Sequence, residues 1–572
     1  MNKPPFLTRL FLTITQHPKL VVGLGMAFLL IAFSAIPKLV QDIRSDAFLS
    51  SDNPALLYRT KLKKQFGLSD PVIVAIRNTS AHGIYTPETL HLIQELTDQL
   101  SALPNIDYAR TVSLATEKNI SSTDGDINIQ GFLDPLPATQ AEADIIRSAV
   151  DDFPLYRGTL VAADHSISLI IVELIDELQQ ESSFREVMAI VNAVSHGPSS
   201  EIHVAGEGAL AGSLGSYIEQ DAIRLNPLAW LIISLTIYLA FRSWHAVTMS
   251  NVIILASVII TLSAMAASNV PFFMITSALP VILIGISVAD AIHIYSHYFD
   301  VTARNPSESR EARVVQTMLE MWRPVTLTTL TTMAGFMGLY FAADMPPFKF
   351  FGLFAALGVF VAWLYSMTLL PASIMLVAPG DNRQSVTAGT RWSSQLFSRI
   401  ASGMGLITLR HPHSILVCFT ISCVAGAYSA AKLTVDENPI NIFHSDEPLF
   451  IADHLINEHM AGSNALDVVI ETPHKEGLFS PEVLTKIEQL QVYAATLPRV
   501  GGSTSIVDYL KQMNRALTTG TADNYKLPDD KETVAQYFLV YSAMSDPTDF
   551  EEEIDYNYQS ANLRIFLNSG YY

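Results

Sequence analysis

Charge is scarce in this chain and cysteine nearly absent. Asp, Glu, Lys and Arg make up 16% of the 572 residues, against about 25% in an ordinary globular chain. Cations are the scarcer sign: 35 Lys and Arg stand against 55 acids, a net charge of −20. That balance argues against a nucleic-acid reader that works by neutralising phosphates. Cys418 and Cys423 lie five apart in one apolar block and cannot build a disulfide framework or a metal knuckle. No GxxxxGK[ST] or GxGxxG phosphate loop is present, and Gly206-Glu207-Gly208 lacks both the spacing and the lysine. No HExxH run, close His/Cys cluster or Gly-x-Ser-x-Gly elbow occurs either. The reading is therefore not an enzyme, with no cofactor and no metal.

What the chain has in abundance is apolar sequence: 49% of residues, a mean hydropathy of +0.29, and long blocks of about 20 residues, the length that crosses a bilayer. Seven such blocks stand out: Leu20–Ile36, Leu225–Phe241, Ala246–Ala267, Phe272–Ile294, Pro324–Phe341, Phe351–Val377 and Ser414–Ala431. The segments assigned inside hold 12 Lys and Arg against 5 acids, and those outside 23 against 49. Short basic loops stay in the cytoplasm, so the N-terminus is placed there. The expected organisation is a tail and first span over 1–37, a first outer region over 38–224 and spans two to six over 225–377. A cytoplasmic connector over 378–413, a seventh span over 414–431 and a second outer region over 432–572 follow.

The first outer region reads as mixed α/β. Strands are expected at Val72–Ile76, Ile106–Ser113, Leu160–Ala162, Ser168–Leu174 and Ile202–Ala205, with helices over Pro87–Leu103, Ala141–Asp152 and Ser182–Val194. That alternation favours split βαβ units over a sandwich. Asp300–Arg323, with four basic and four acidic residues, is expected to lie as a helix along the inner surface. Ahead of the seventh span, Arg383, Arg391, Arg399 and Arg410 flank Trp392, Leu396, Phe397 and Ile400, an amphipathic interfacial connector.

An internal repeat runs at an offset of 394. Gln16-His17-Pro18 falls on Arg410-His411-Pro412, Lys38-Leu39 on Lys432-Leu433, Asp42 on Asp436, and Ser51-Asp52-Asn53-Pro54 on Ser445-Asp446-Glu447-Pro448. These point to two copies of a helix-plus-outer-domain unit. Copy one continues into five further spans, whereas copy two stops in its outer domain. The expectation is a chain that lacks a last set of five spans, through truncation or a split gene. A native seven-span protein is the alternative.

Within the spans, Asp290 stands out in Ile282-Leu283-Ile284-Gly285-Ile286-Ser287-Val288-Ala289-Asp290-Ala291-Ile292-His293. An isolated carboxylate in the bilayer costs several kcal/mol, so it should face protein or water. There it could take up and release a proton near neutral pH, as coupling requires. His293 and His297 follow at three and seven residues, on the same helical face. They form either a proton path or, for His293, only a hydrogen-bond partner, and for His297 a solvated residue. The fifth span opens with five threonines in positions 326–332. Thr328 and Thr332 share a face, and Thr329 lies one position around. A polar contact with the Asp290 span competes here with a self-satisfied interface of small residues. Gly285, Gly335 and Gly338 read as packing residues that let a neighbouring backbone approach.

One span, a large outer domain, five clustered spans, a connector and a repeat of the first unit: this pattern resembles the resistance–nodulation–cell division (RND) superfamily, in its MMPL-like group of lipid or hydrophobe exporters. Gly285–His293, the threonine-rich start of the fifth span and Gly335-Phe336 carry the local likeness. The resemblance implies an α-helical transmembrane bundle with two extracytoplasmic porter-like α/β domains in a bacterial inner membrane, driven by a proton gradient. By resemblance, Asp290 takes the role of a fourth-span proton-relay acid. Relatives carry Asp-Tyr or Asp-Asp at this point, whereas here Ala289 fills the first position, and relatives also draw on a tenth span. The function implied is proton-coupled export or relay of a hydrophobic or amphiphilic, lipid-like substrate. A non-transporting scaffold or lipid sensor and a secretion-assisting factor are the other classes. Membrane lipids or hydrophobic small molecules are the expected partners. A homo-oligomer and a separately encoded C-terminal half remain open, and no nucleic acid is expected.

Overall fold

The apolar blocks become helices, most of them longer than the blocks themselves. In the computed structural model, which describes residues 5–123, 126–379, 399, 400, 402–434, 438–518, 521–545 and 547–569, seven helices are long and apolar enough to cross a membrane. They are Pro18–Lys38 (its end a 3-10 turn), Glu207–Phe241, Trp244–Ala267, Ile275–Arg304, Arg310–Ala342, Pro346–Leu376 and Pro412–Ala430. The chain divides into two compact units, residues 1–41 with 221–436 and residues 42–220 with 437–572.

In the membrane unit, Pro5–Gln16 forms a separate helix ahead of the first span. Its Phe11 and Ile14 are buried, and Thr15 donates to Glu311 Oε1 at 3.5 Å. The fifth span differs from expectation. Its helix begins at Arg310, capped by the Ser309 hydroxyl accepting from the Ala312 amide, and holds Pro324 in its interior. No separate surface helix covers 310–323, because Val314, Val315, Thr317 and Met318 are already buried there and continue the packing stripe into the span. Of the expected connector, 380–398 and 401 lie outside the described residues, Trp392, Leu396 and Phe397 among them. Residues 402–410 are helical and largely exposed, and none of Pro412–Ala430 is buried.

Hydroxyls tie the spans together through backbone carbonyls. Ser257 of the third span donates to Gly358 O at 2.8 Å, Ser263 to Ala32 O at 2.6 Å, and Tyr365 of the sixth to Gly25 O at 2.9 Å. Each such bond satisfies a polar hydrogen that hydrocarbon cannot. A close contact between the fifth and sixth helices falls on a glycine of the sixth. A Cβ on Gly352 would lie 2.5 Å from Phe336 O and 2.9 Å from Tyr340 N. Around Gly285, Gly335 and Gly338 a Cβ would meet nothing within 4 Å. The packing glycine of the fifth–sixth span pair is thus on the sixth helix, and the three glycines singled out from the sequence face open space.

The second unit, which holds both regions expected outside and is called the outer unit on that expectation, carries two three-stranded antiparallel sheets. In the first, Val72–Asn78 is central between Ile167–Val172 and Ser200–Ala205. The edge of Ile167–Val172 is extended by isolated bridges, Ile106 to Leu174 and Val112 to Ile171, so the expected strand at 106–113 is only a pair of contacts around a 3-10 turn. In the second, Ser560–Leu567 is central between Asn464–Glu471 and Val500–Thr504. Helix starts follow local chemistry: Thr139 with Glu142 and Ser505 with Asp508 form capping boxes. A hairpin absent from the sequence reading, Lys118–Thr123 with Asp126–Gly131, lies against helix Ile506–Leu517, whose buried Gln512 donates to Ile120 O at 2.9 Å. The two outer stretches share one continuous hydrophobic core, with Phe153 against Tyr509 at 6.2 Å between ring centroids.

The glycine geometry gives a paired prediction. Gly335→Ala enters open space and gains helix propensity, so its thermal stability in detergent should stay level or rise. Gly352→Ala drives a methyl into backbone and should lose about 1–3 kcal/mol. Melting curves of both variants check it, and equal behaviour would contradict the packing described.

Candidate functional site

The fourth span buries a stripe at helical spacing: Leu283, Ser287, Asp290, Ile294, Tyr298 and Val301. Asp290 belongs to this stripe and is 9% exposed. It reaches the fifth span, where the Thr329 hydroxyl, 5% exposed, lies 3.3 Å from Asp290 Oδ2. The same oxygen of Thr329 is 2.9 Å from Val325 O of its own helix.

A hydroxyl has one proton and lone pairs to spare. Thr329 can donate to an ionised Asp290. It can equally turn its proton to Val325 O and accept from a protonated Asp290. The pair therefore offers a hydrogen bond to both forms of the acid, which a carboxyl that exchanges a proton inside a bilayer requires.

The remaining threonines serve their own helix or another partner. Thr328 donates to Val325 O at 2.8 Å, and Thr332 to Thr328 O at 2.9 Å. Thr326 accepts from Trp363 Nε1 at 3.0 Å. Thr328 is exposed and Thr332 half-buried, so the structure brings Thr329 alone of the three named threonines to the carboxyl. His293 is exposed, and among the described residues no hydrogen bond joins it to Asp290. His297 pairs instead with Glu320 of the fifth helix, Nε2 to Oε2 at 2.7 Å.

Several polar groups on the buried faces were not singled out from sequence. Ser287, one turn before Asp290, with Ser250 and Ser366, is buried with its hydroxyl lacking a partner among the described residues. Tyr295, fully buried, has its hydroxyl 3.0 Å from His245 Nδ1. Their only sequence signal was polarity inside apolar runs. No group of three or more His, Cys, Asp or Glu able to hold a metal occurs among the described residues.

The MMPL family signature matches residues 59–402, from the outer region through all five clustered spans. The chain belongs to the MMPL family. The hopanoid transporter HpnN of Burkholderia multivorans is 24% identical to this MMPL chain over 335 residues, covering 58% of this chain and 34% of that protein. The matched stretch thus spans about a third of that relative's length. Asp290 and Thr329 both fall inside the signature.

The outer unit of this MMPL chain holds a cavity of about 1510 Å³. Strand alternation decides what faces it. Leu169, Ile171 and Glu173 line the cavity, while Ile170, Val172 and Leu174 face the core; across from them Arg564 and Phe566 line it, while Leu563 and Ile565 do not.

Burial of Asp290 on a span predicts its reactivity. Dicyclohexylcarbodiimide, a lipid-soluble reagent that attacks protonated carboxyls, should label Asp290 in the membrane-embedded protein. Glu320, held by His297, should stay unlabelled. Peptide mapping by mass spectrometry checks this; labelling of Glu320 in preference to Asp290 would contradict the placement.

Proposed function

We propose that this MMPL chain takes part in proton-coupled export or relay of a hydrophobic or amphiphilic, lipid-like substrate across or out of a bacterial inner membrane. The observation that carries the reading is the buried Asp290–Thr329 pair between two spanning helices. A carboxyl costs too much there to serve as mere packing, and the hydroxyl beside it suits both protonation states. Its proton gradient role agrees with the resemblance to the RND superfamily, and the name of the related hopanoid transporter supports a lipid-like cargo. The basic inner loops support a cytoplasmic N-terminus, with the two-sheet unit outside as a porter-like region.

In this reading the proton enters Asp290 when the site is open to one side and leaves when it is open to the other. Thr329 keeps the acid hydrogen-bonded throughout, and the change of charge shifts the balance between two packings of the fourth and fifth spans. His293 and His297 serve as accessory groups on the same helix.

The test is flux of a fluorescent hydrophobe in sealed vesicles carrying the protein. Asp290→Asn should abolish gradient-driven flux with expression and folding retained. Thr329→Val removes a hydrogen bond to a charged group and should slow flux about tenfold, while Thr328→Val should act like the parent. Full flux by Asp290→Asn would overturn the proton role.

A further inference from the structure

The outer cavity is lined by twelve acids and five bases. The bases are spoken for. Arg564 Nε meets Asp467 at 3.1 Å and its Nη1 meets Glu552 at 2.8 Å. Lys118 meets Asp549 at 2.8 Å, and Arg110 donates to Gly67 O at 2.6 Å. Arg59 and Lys63 are paired with Asp70 at 2.8 Å and Glu177 at 2.6 Å.

Glu173 is only part-satisfied, its carboxyl accepting from the Ser69 amide. It sits at the end of strand Ile167–Val172 with its backbone fixed by the Asp107 amide donating to its carbonyl at 3.0 Å. The residue is 4% exposed, lines the cavity, and its Oε2 has no hydrogen-bond partner among the described residues. Glu553, from the far end of the chain, lines the same cavity with an equally unpartnered Oε2. A buried, unpartnered carboxyl oxygen costs on the order of 1–3 kcal/mol. Two such oxygens around one acid-rich cavity call for a further donor that the described residues do not supply.

We infer that this cavity binds the protonated primary amine of an amphiphile, with Glu173 as its counter-ion and Glu553 as a second acceptor. An ammonium brings three N–H donors and the positive charge in which the lining is outnumbered, five bases to twelve acids. Leu169, Ile171 and Phe566 offer the apolar tail a wall beside the head. The inference rests on the export reading, whose cargo class it narrows.

The ionisation of the site fits an exchange. Burial, followed by repulsion from Glu552, pushes the Glu173 carboxyl up, and Arg564, Arg110 and a hydrogen bond from the Ser69 amide oppose it only in part. Glu553 is raised by burial and by Glu552, and Arg564 opposes. Glu117, beside Tyr156, Asp549, Glu552 and Lys118, is pushed up to about 7, burial again leading. With Glu173 neutral before binding, the step balances in charge and in protons. The neutral acid releases one proton to solvent, and the incoming alkylammonium, keeping all three of its own, pairs with the carboxylate left behind. Affinity should therefore rise with pH while Glu173 is protonated, by up to about tenfold per pH unit.

Isothermal titration of the full chain in detergent, corrected with protein-free micelles, tests this with octylamine, octanol and octanoate as probes. Octylamine should bind more tightly than either other probe and more tightly at pH 8 than at pH 6. Titration in buffers of different ionisation enthalpy should show protons released. Glu173→Gln, close to isosteric, should weaken octylamine about tenfold or more, and Glu532→Gln on the exposed surface should not. Equal affinity for octanol, unchanged binding by Glu173→Gln with Glu553→Gln, or octylamine binding by the parent chain without proton release would overturn the proposal. The last readout needs no variant to fold. Asp290→Asn should bind octylamine normally, so failure of the amine site and failure of proton coupling are separate results.

Discussion

One carboxyl held away from water governs the membrane half of this protein. Asp290 lies in a stripe of mostly apolar side chains, and its interhelical bond goes to a hydroxyl on the next span. A charge there is expensive and a neutral acid cheap, so the local free energy depends on one proton. Thr329 is buried at the phase of its helix that faces the carboxyl, and farther along the same helix Gly352 of the sixth lies against its backbone at Phe336 and Tyr340. The third, fourth and sixth spans carry their other buried polar residues as small hydroxyls, Ser250, Ser257, Ser287 and Ser366 among them, rather than as competing charges.

The outer unit treats charge differently. Its cavity holds many carboxyls, several of them matched by Arg and Lys, and leaves two buried oxygens unmatched. Alternation along the strands puts apolar residues and these carboxyls on one wall together. The membrane unit thus has a buried carboxyl on a spanning helix, while the other unit has an acid-rich lined space; the proposed export of amphiphiles would use both.

Much of this was legible before the structure. Seven apolar runs gave seven long helices, because span length is dictated by bilayer thickness. Asp290 was legible because a carboxylate in an apolar run has few innocent explanations. Val72–Asn78 and Ile167–Val172 were legible from β-branched runs.

What stayed hidden depended on helix phase and tertiary pairing. Three residues of helix leave His293 about 60° away from Asp290, enough to move it from a buried stripe to an exposed face. Thr328 and Thr329 differ by one step, and only the docked neighbour selects between them. Pro324 looked like a helix start but sits inside one, since a proline can be carried where packing holds the chain on both sides. Glu173 gave no local hint, because the lack of a partner for its Oε2 arises from side chains drawn from both ends of the chain. The central claim is that Asp290 changes protonation, and isotope-edited infrared titration of the carboxyl C=O stretch in the membrane-embedded protein tests it most directly. A protonated-acid band that fades as pH rises and is missing from Asp290→Asn is the expected result. A carboxylate that stays ionised, or an acid that stays protonated, across the whole range would contradict it.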